Sequence, residues 1–187
     1  MRRLSSLLLL LLAGCLETIG QQCPPASLAV GQYSLAFHGE HPQGECKARL
    51  DGGGEMLLAV DDGGTQSATL CVGSAQDGGP KLYLAISTKG NRDSDLLPDG
   101  GFRFRGSSPP TPGTPCNCPV GIDETFEGFL SGASDGGLSL QPDGGLPLIT
   151  GLAGTLVDQL TGQPTQLLPC ACDLPCSVTY SIKGTRF

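Results

Sequence analysis

Apolar and polar residues alternate along several short stretches of the chain, as they do in a β-strand that buries one of its faces. Tyr33, Leu35 and Phe37 alternate with polar neighbours, and residues 178–182 repeat the pattern near the C-terminus. No window has the 3.6-residue period of an amphipathic helix. The pattern therefore predicts an all-β protein.

Four alternating or apolar stretches follow one another within residues 45–88. The second of them, Met56-Leu57-Leu58-Ala59-Val60, is apolar on both faces and suits a central strand. We predict that the four strands form an antiparallel meander. They are residues 46–50, 56–60, 68–72 and 82–86, and shorter candidates follow at residues 126–130, 138–140, 146–149 and 154–160.

The tripeptide Asp-Gly-Gly marks turns between these stretches. It begins at residues 51, 62, 77, 99, 135 and 143, and Asp-Gly favours hairpin turns because Gly adopts positive φ without steric cost. The alternative is calcium binding by the aspartates. A calcium loop needs several closely spaced oxygen ligands, whereas each tripeptide supplies one carboxylate, so we favour turns.

Two aromatic residues, Phe102 and Phe104, alternate with Arg103 and Arg105. We interpret them as a half-buried strand with a basic outer face; the alternative is a site for nucleic acid or an acidic sugar. A Pro-rich connection, predicted as a long loop, follows at residues 107–119.

The composition includes 29 Gly, 15 Pro and no Trp, which fits many turns and short strands. Residues 27–187 are long enough for one domain with its own core. We predict a single antiparallel β-sandwich stapled by disulfides, with a partly open β-barrel as the alternative.

The N-terminus is basic at Arg2 and Arg3 and apolar over most of residues 4–12. This apolar segment is shorter than the about 20 residues of a transmembrane helix, and it has the layout of a secretory signal. Leu12-Ala13-Gly14-Cys15 then resembles the lipobox of bacterial lipoproteins.

The lipobox resemblance implies that residues 1–14 are a signal peptide removed by signal peptidase II, and that Cys15 carries acyl chains such as palmitate. Residues 15–26 would be the lipidated cysteine and its tether. Leu16, rather than Asp, follows Cys15, which in that family implies the outer membrane of a Gram-negative-type bacterium. The alternative is an ordinary secretory signal with a chance cysteine. No family is recognised for the mature domain.

Charge excludes one class of partner. The whole chain has a net charge of −7, and a chain this acidic has no electrostatic footprint for nucleic acid. We therefore expect no nucleic-acid partner.

Nine cysteines are present, and setting Cys15 aside leaves an even number, as expected for disulfides in an exported chain. Residues two apart on a strand lie about 7 Å from each other, beyond disulfide reach, so each of the two Cys-x-Cys segments needs partners elsewhere. We predict that the segments lie side by side and form two bridges, and that Cys176 pairs with one of the first three candidates; a four-thiolate zinc site is the alternative. The candidates are Cys23, Cys46, Cys71, Cys116, Cys118, Cys170, Cys172 and Cys176.

The chain's two histidines, His38 and His41, flank Glu40. A zinc-hydrolase motif requires a helix that places both imidazoles on one face, and Gly39 and Pro42 oppose a helix. We expect a strand end running into a turn, with no metal and no cofactor. No nucleophile elbow and no phosphate-binding loop is present.

These observations predict a lipid-anchored envelope protein with a non-enzymatic structural or interaction role. Its partners would be the membrane, through the anchor, and an envelope protein or the cell-wall matrix. The alternative is a module that binds a carbohydrate or lipophilic molecule, with Tyr33, Phe102, Phe104 or Tyr180 as platforms. An enzyme of the glycosidase kind is disfavoured, and an open cleft with two facing carboxylates would favour it.

Overall fold

A computed structural model of the chain describes residues 22–38, 46–49, 52–58, 64–74, 80–87, 89–95, 97, 101–111, 116–132, 148–162 and 170–187. No helix in this part of the chain is long and apolar enough to cross a membrane. The strands are β1 (Leu28–His38), β2 (Lys47–Arg49), β3 (Glu55–Leu57), β4 (Thr65–Ser74), β5 (Pro80–Ile86), β6 (Gly90–Asp95), β7 (Gly101–Thr111), β8 (Val120–Ser131), β9 (Gly151–Gly162) and β10 (Cys176–Arg186).

Eight of the strands form a closed antiparallel barrel in the order β1-β10-β9-β8-β7-β6-β5-β4. Closure comes from β1, which pairs with β10 (Phe37 opposite Ile182) and with β4 (Tyr33 opposite Ala68). The all-β prediction is confirmed and the sandwich is wrong. The alternative, a barrel, is the architecture found, and it is closed rather than partly open because the first and last strands pair.

Side chains of alternate residues fill the barrel, as expected for an interior of eight strands. Phe102 and Phe104 on β7 are buried, and the rings of Phe102 and Phe126 lie 4.9 Å apart in an edge-to-face arrangement. Arg103 and Arg105 are exposed on the outer face, where Arg103 contacts Glu127 at 2.6 Å. The half-buried strand with a basic outer face is therefore confirmed.

The predicted four-strand meander is only half right, because its strands divide between two sheets. β4 and β5 are neighbours in the barrel, whereas β2 and β3 form a separate two-stranded sheet. The other neighbour of β4 in the barrel is β1, so the β2–β3 hairpin is an insertion between two barrel strands. Met56 and Leu57, expected in a central strand, are 41% and 53% exposed.

The end of the barrel at which β1 and β7 finish is covered by a disulfide cap, made of residues 46–49, 52–58, 116–118 and 170–175. Backbone hydrogen bonds join these segments: the N–H of Arg49 donates to the carbonyl of Ala171, and the N–H of Ala171 donates to that of Cys116. Ala48 within the cap is fully buried, so the cap extends the core beyond the barrel.

The opposite end, where β1 begins, is the tether end, and it is closed by residues 148–150. Ile149 is fully buried, and its carbonyl accepts a hydrogen bond from the Tyr33 hydroxyl at 2.8 Å. Burial raises the pKa of the Tyr33 phenol, an effect that the nearby Arg186 charge reduces. Ile149, part of the strand candidate at 146–149, lies outside any strand.

Two predicted boundaries move. The Pro-rich loop does not begin at residue 107, because β7 continues to Thr111 through Pro109 and Pro110, at a register shift that spares the prolines a ladder hydrogen bond. The predicted tether, residues 15–26, would extend no further than Cys23, because a disulfide joins Cys23 to Cys71 on β4.

Candidate functional site

A cluster of buried charges lies inside the barrel, below the cap. The Glu124 carboxylate on β8 accepts a hydrogen bond from the Lys89 ammonium at 2.5 Å and one from Arg92 Nε at 3.0 Å. Arg92 Nη2 also donates to Glu124 Oε2. The side chains of Arg92 and Glu124 are 7% and 5% exposed, so this is an ion pair removed from water.

The backbone around Arg92 is adapted to its side chain. Its Nη1 donates to the carbonyls of Lys89 and Gly90. Gly106 on β7 leaves the space that the guanidinium occupies, because a Cβ at Gly106 would lie 2.5 Å from Arg92 Nε. A larger residue at position 106 would therefore displace the ion pair.

A second carboxylate, Asp158, lies in the same interior. It is fully buried on β9 and stands opposite Glu124 in the β8–β9 register. Asp158 shares the inward face of β9 with Leu156 and Leu160. Two carboxylates therefore occupy neighbouring positions on adjacent strands of the barrel wall.

The environment of Glu124 favours its charged form. Burial alone opposes ionisation and is the largest single influence on its pKa. The hydrogen bonds and charges of Lys89 and Arg92 together outweigh it and hold the pKa below the ordinary value of 4.5. Glu124 is consequently an ionised partner of two cations at neutral pH and is unsuited to act as a general acid there.

A small cavity adjoins the cluster. Its volume is ≈ 20 Å³, room for about one water molecule. The Lys89 ammonium at its polar side lies 5.9 Å from the centre of the Phe37 ring, within cation–π range. The lining residues are Leu35, Phe37, Leu84, Ile86, Lys89, Arg92, Phe104, Glu124, Phe126, Leu156 and Ile182.

The four residues named as ligand platforms, Tyr33, Phe102, Phe104 and Tyr180, are all buried in the barrel core. They pack against other core side chains rather than lining an open groove. Glu124 and Asp158 likewise lie within the closed barrel and not in the open cleft that a glycosidase site requires.

All eight cysteines that follow Cys15 form disulfides. The two Cys-x-Cys segments lie side by side and form two bridges, as predicted. The pairing, which the sequence left open, is Cys116 with Cys172 and Cys118 with Cys170. Cys176 pairs with Cys46, one of its three expected partners. Three bridges hold the cap, and the fourth, from Cys23 to Cys71, fixes the N-terminal segment to the barrel.

The remaining predicted site residues are few. Cys15 and His41 lie outside the described residues, and His38 is exposed at the end of β1. Across the described ranges, no group of three or more His, Cys, Asp or Glu is placed to hold a metal ion.

Sequence reasoning did not identify Lys89, Arg92, Glu124 or Asp158. A signal existed for the carboxylates, because Glu124 and Asp158 share the parity of apolar residues in their strands. The residues two positions before and after Arg92 are Gly90 and Ser94. Neither is a large apolar residue, so nothing in the pattern indicates that Arg92 is buried.

Comparisons with known proteins gave no relative. No family model matches the chain, and neither the curated proteins nor the solved structures contain a match.

Proposed function

We propose that the chain is a lipid-anchored cell-envelope protein, held in the outer membrane through Cys15, with a non-enzymatic structural or interaction role. The supporting observation is the cysteine pairing. The four bridges use eight of the nine cysteines, so no cysteine is left in the chain to pair with Cys15. A thiol without a disulfide partner, placed directly after Leu12-Ala13-Gly14, is suited to acylation.

The barrel supports a presenting role better than a carrying one. A ligand pocket in a protein generally has about 300 Å³ or more, whereas the cavity beside Glu124 holds about one water molecule. A small molecule would have to displace core side chains to enter. The described structure thus resembles a rigid support, braced by four disulfides.

The surface that this support presents is the disulfide cap. Two bridges join the segments of the cap to each other, and a third, Cys46–Cys176, joins it to the first residue of β10. The β2–β3 hairpin of the cap carries exposed Met56 and Leu57. Exposed apolar side chains on a rigid element are suited to contact a protein partner. We therefore propose the hairpin as the contact with an envelope protein or the cell-wall matrix.

Mass spectrometry of the protein isolated from its native envelope tests the anchor. We expect a chain that begins at Cys15, carries acyl groups there, and gains alkylated thiols only after reduction. The matched variant Cys15→Ser should keep the four bridges and leave the membrane fraction. A native chain that begins at Met1 without fatty acid would contradict the proposal.

Crosslinking in intact envelopes tests the interaction role. The wild-type chain should give a repeated crosslinked partner, and Met56→Ser with Leu57→Ser should reduce its yield. Gln159→Ser, which changes an exposed side chain on the outer face of β9, is the control and should leave the yield unchanged. Failure to recover any partner in repeated experiments would count against this role.

The alternative, a ligand-binding module, is tested by thermal-shift measurements with sugars and lipophilic molecules. A true ligand raises the melting temperature in proportion to its occupancy. We expect no shift, because entry requires rearrangement of the packed interior.

A further inference from the structure

Exposed apolar side chains are concentrated at the tether end of the barrel. Among the described residues, seven large apolar side chains are exposed, and two of them, Met56 and Leu57, belong to the cap. The other five all lie at the tether end, and we name them the apolar rim: Leu28, Leu97, Phe129, Leu148 and Phe187.

Backbone contacts connect the members of the apolar rim. The N–H of Leu97 donates to the carbonyl of Gly101 at 2.9 Å, and Gly101 stands opposite Phe129 in the β7–β8 register. The N–H of Thr150 donates to Ser131, two residues after Phe129, and the N–H of Phe187 donates to Gln32 of β1. The rim therefore follows the strand ends around one end of the barrel.

The N-terminal segment is attached close to this end. Cys23 is bonded to Cys71, which lies three residues from the end of β4 at Ser74 and six from its start at Thr65. At about 3.3 Å per residue these distances are ~10 Å to the tether end and ~20 Å to the cap end. The eight steps from Cys15 to Cys23 span at most ~28 Å.

We propose that the apolar rim rests on the phospholipid bilayer to which Cys15 is anchored, so that the barrel stands with its cap away from the membrane. This inference depends on the proposed lipid anchor. The N-terminal segment is attached nearer to the tether end, and the exposed phenylalanines and leucines of that end enter the boundary between headgroups and acyl chains. Because the chain is acidic, binding comes from apolar contact and not from attraction to anionic headgroups.

Single tryptophans report this orientation, because the chain contains no Trp. The variants Phe187→Trp and Phe129→Trp place the probe on the rim, and Leu57→Trp places a matched probe on the cap. Each acylated full chain is reconstituted into zwitterionic phosphatidylcholine vesicles, with or without brominated acyl chains. Flotation of the vesicles measures anchoring, and fluorescence excited at long wavelength reports lipid contact.

We expect all three variants to float with the vesicles. In vesicles, emission from the two rim probes should shift to the blue and lose intensity with brominated lipid, whereas emission from the cap probe should do neither. Flotation without quenching of either rim probe, or with quenching of the cap probe, would overturn the orientation and leave the anchor intact.

Two other outcomes are also decisive. A chain that is not acylated and does not float would remove the anchor and the orientation together. A rim probe that is already blue-shifted without lipid, and that brominated lipid does not quench, would show that a second copy of the chain covers the rim, which would also overturn the proposal.

Discussion

Glu124 and Arg92 form an ion pair inside the barrel, where removal of one partner leaves the other charge buried. We expect Glu124→Gln to lower the free energy of unfolding by about 3 kcal/mol, because the charges of Arg92 and Lys89 would lose their carboxylate. Urea unfolding at neutral pH measures this.

The matched control is Glu127→Gln on the same strand. Glu127 pairs with Arg103 on the outer face, where both side chains are half-exposed, and an exposed pair contributes less than about 1 kcal/mol. Equal losses in the two variants would show that the buried pair has no special contribution.

The same carboxylate produces a pH dependence whose sign follows from its pKa. The pKa of Glu124 is lower in the folded chain than the ordinary value of 4.5, so between the two values the unfolded chain binds more protons and stability rises with pH. This contribution is complete above pH 4.5 and disappears as the pH falls through the folded pKa.

Urea midpoints measured from pH 7 downwards test this linkage. The wild-type chain should lose more stability than Glu124→Gln as the pH falls below the ordinary carboxyl pKa, and the difference between the two should shrink. Parallel loss of stability in both proteins would contradict the assignment to Glu124.

At the scale of single residues, strand parity is informative only where apolar neighbours define a face. Asp158 and Glu124 lie at the same parity as such neighbours, so their inward positions were accessible from the sequence. Arg92 was not, because its place inside depends on the space above Gly106, and that space arises from the pairing of β6 with β7.

At the scale of elements, alternation located most of the barrel strands, including β1, β4, β5, β7 and β10. It also located β2 and β3 but not the sheet to which they belong, because an apolar run such as 56–60 has the same composition whether a strand is central or exposed on a hairpin. The partner strand decides whether such a run is central, and β4 pairs with β1 rather than with β3. The Cys-x-Cys segments succeeded because their spacing alone excludes a bridge within each segment.

The paired bridges of these segments should behave as a unit. Cys116–Cys172 and Cys118–Cys170 close nearly the same loop, with separations of 56 and 52 residues. Removing either one with two serines opens only the small ring between the bridges, at a cost of about 2 kcal/mol in the chain-entropy relation. Removing both opens the long loop as well and should cost about 6 kcal/mol.

A double-mutant cycle by urea unfolding measures this coupling. The two double-serine variants and the four-serine variant are compared with the wild-type chain under oxidising conditions. Costs that simply add would show that each bridge acts alone, contrary to the arrangement as two adjacent rungs.

At the scale of the whole molecule, closure of the barrel joins residues that the sequence separates most. Phe37 and Ile182 stand opposite each other, and no local sequence pattern predicts a pairing between strands so far apart in the chain. A sandwich and a barrel share the same alternation and the same turns, so the choice between them depends on whether the first and last strands meet. The pairing of the first and last strands closes the barrel, which then has two distinct ends, the cap end and the tether end.

The N-terminal boundary of the folded unit follows from the same closure. Among the described residues, the strands of the barrel and all four bridges lie at or after Cys23. A chain that begins at Gln22 should therefore unfold with the same urea midpoint as the full-length chain in detergent. A chain that begins at Ser27, with Cys71→Ala to avoid a free thiol, loses the bridge whose separation is 48 residues. It should be less stable by about 4 kcal/mol, while Cys71→Ala with Cys23→Ala in the longer chain should lose as much. A large loss already in the chain from Gln22 would mean that the preceding residues contribute to the fold, and the proposed anchor would then not be separate from the barrel.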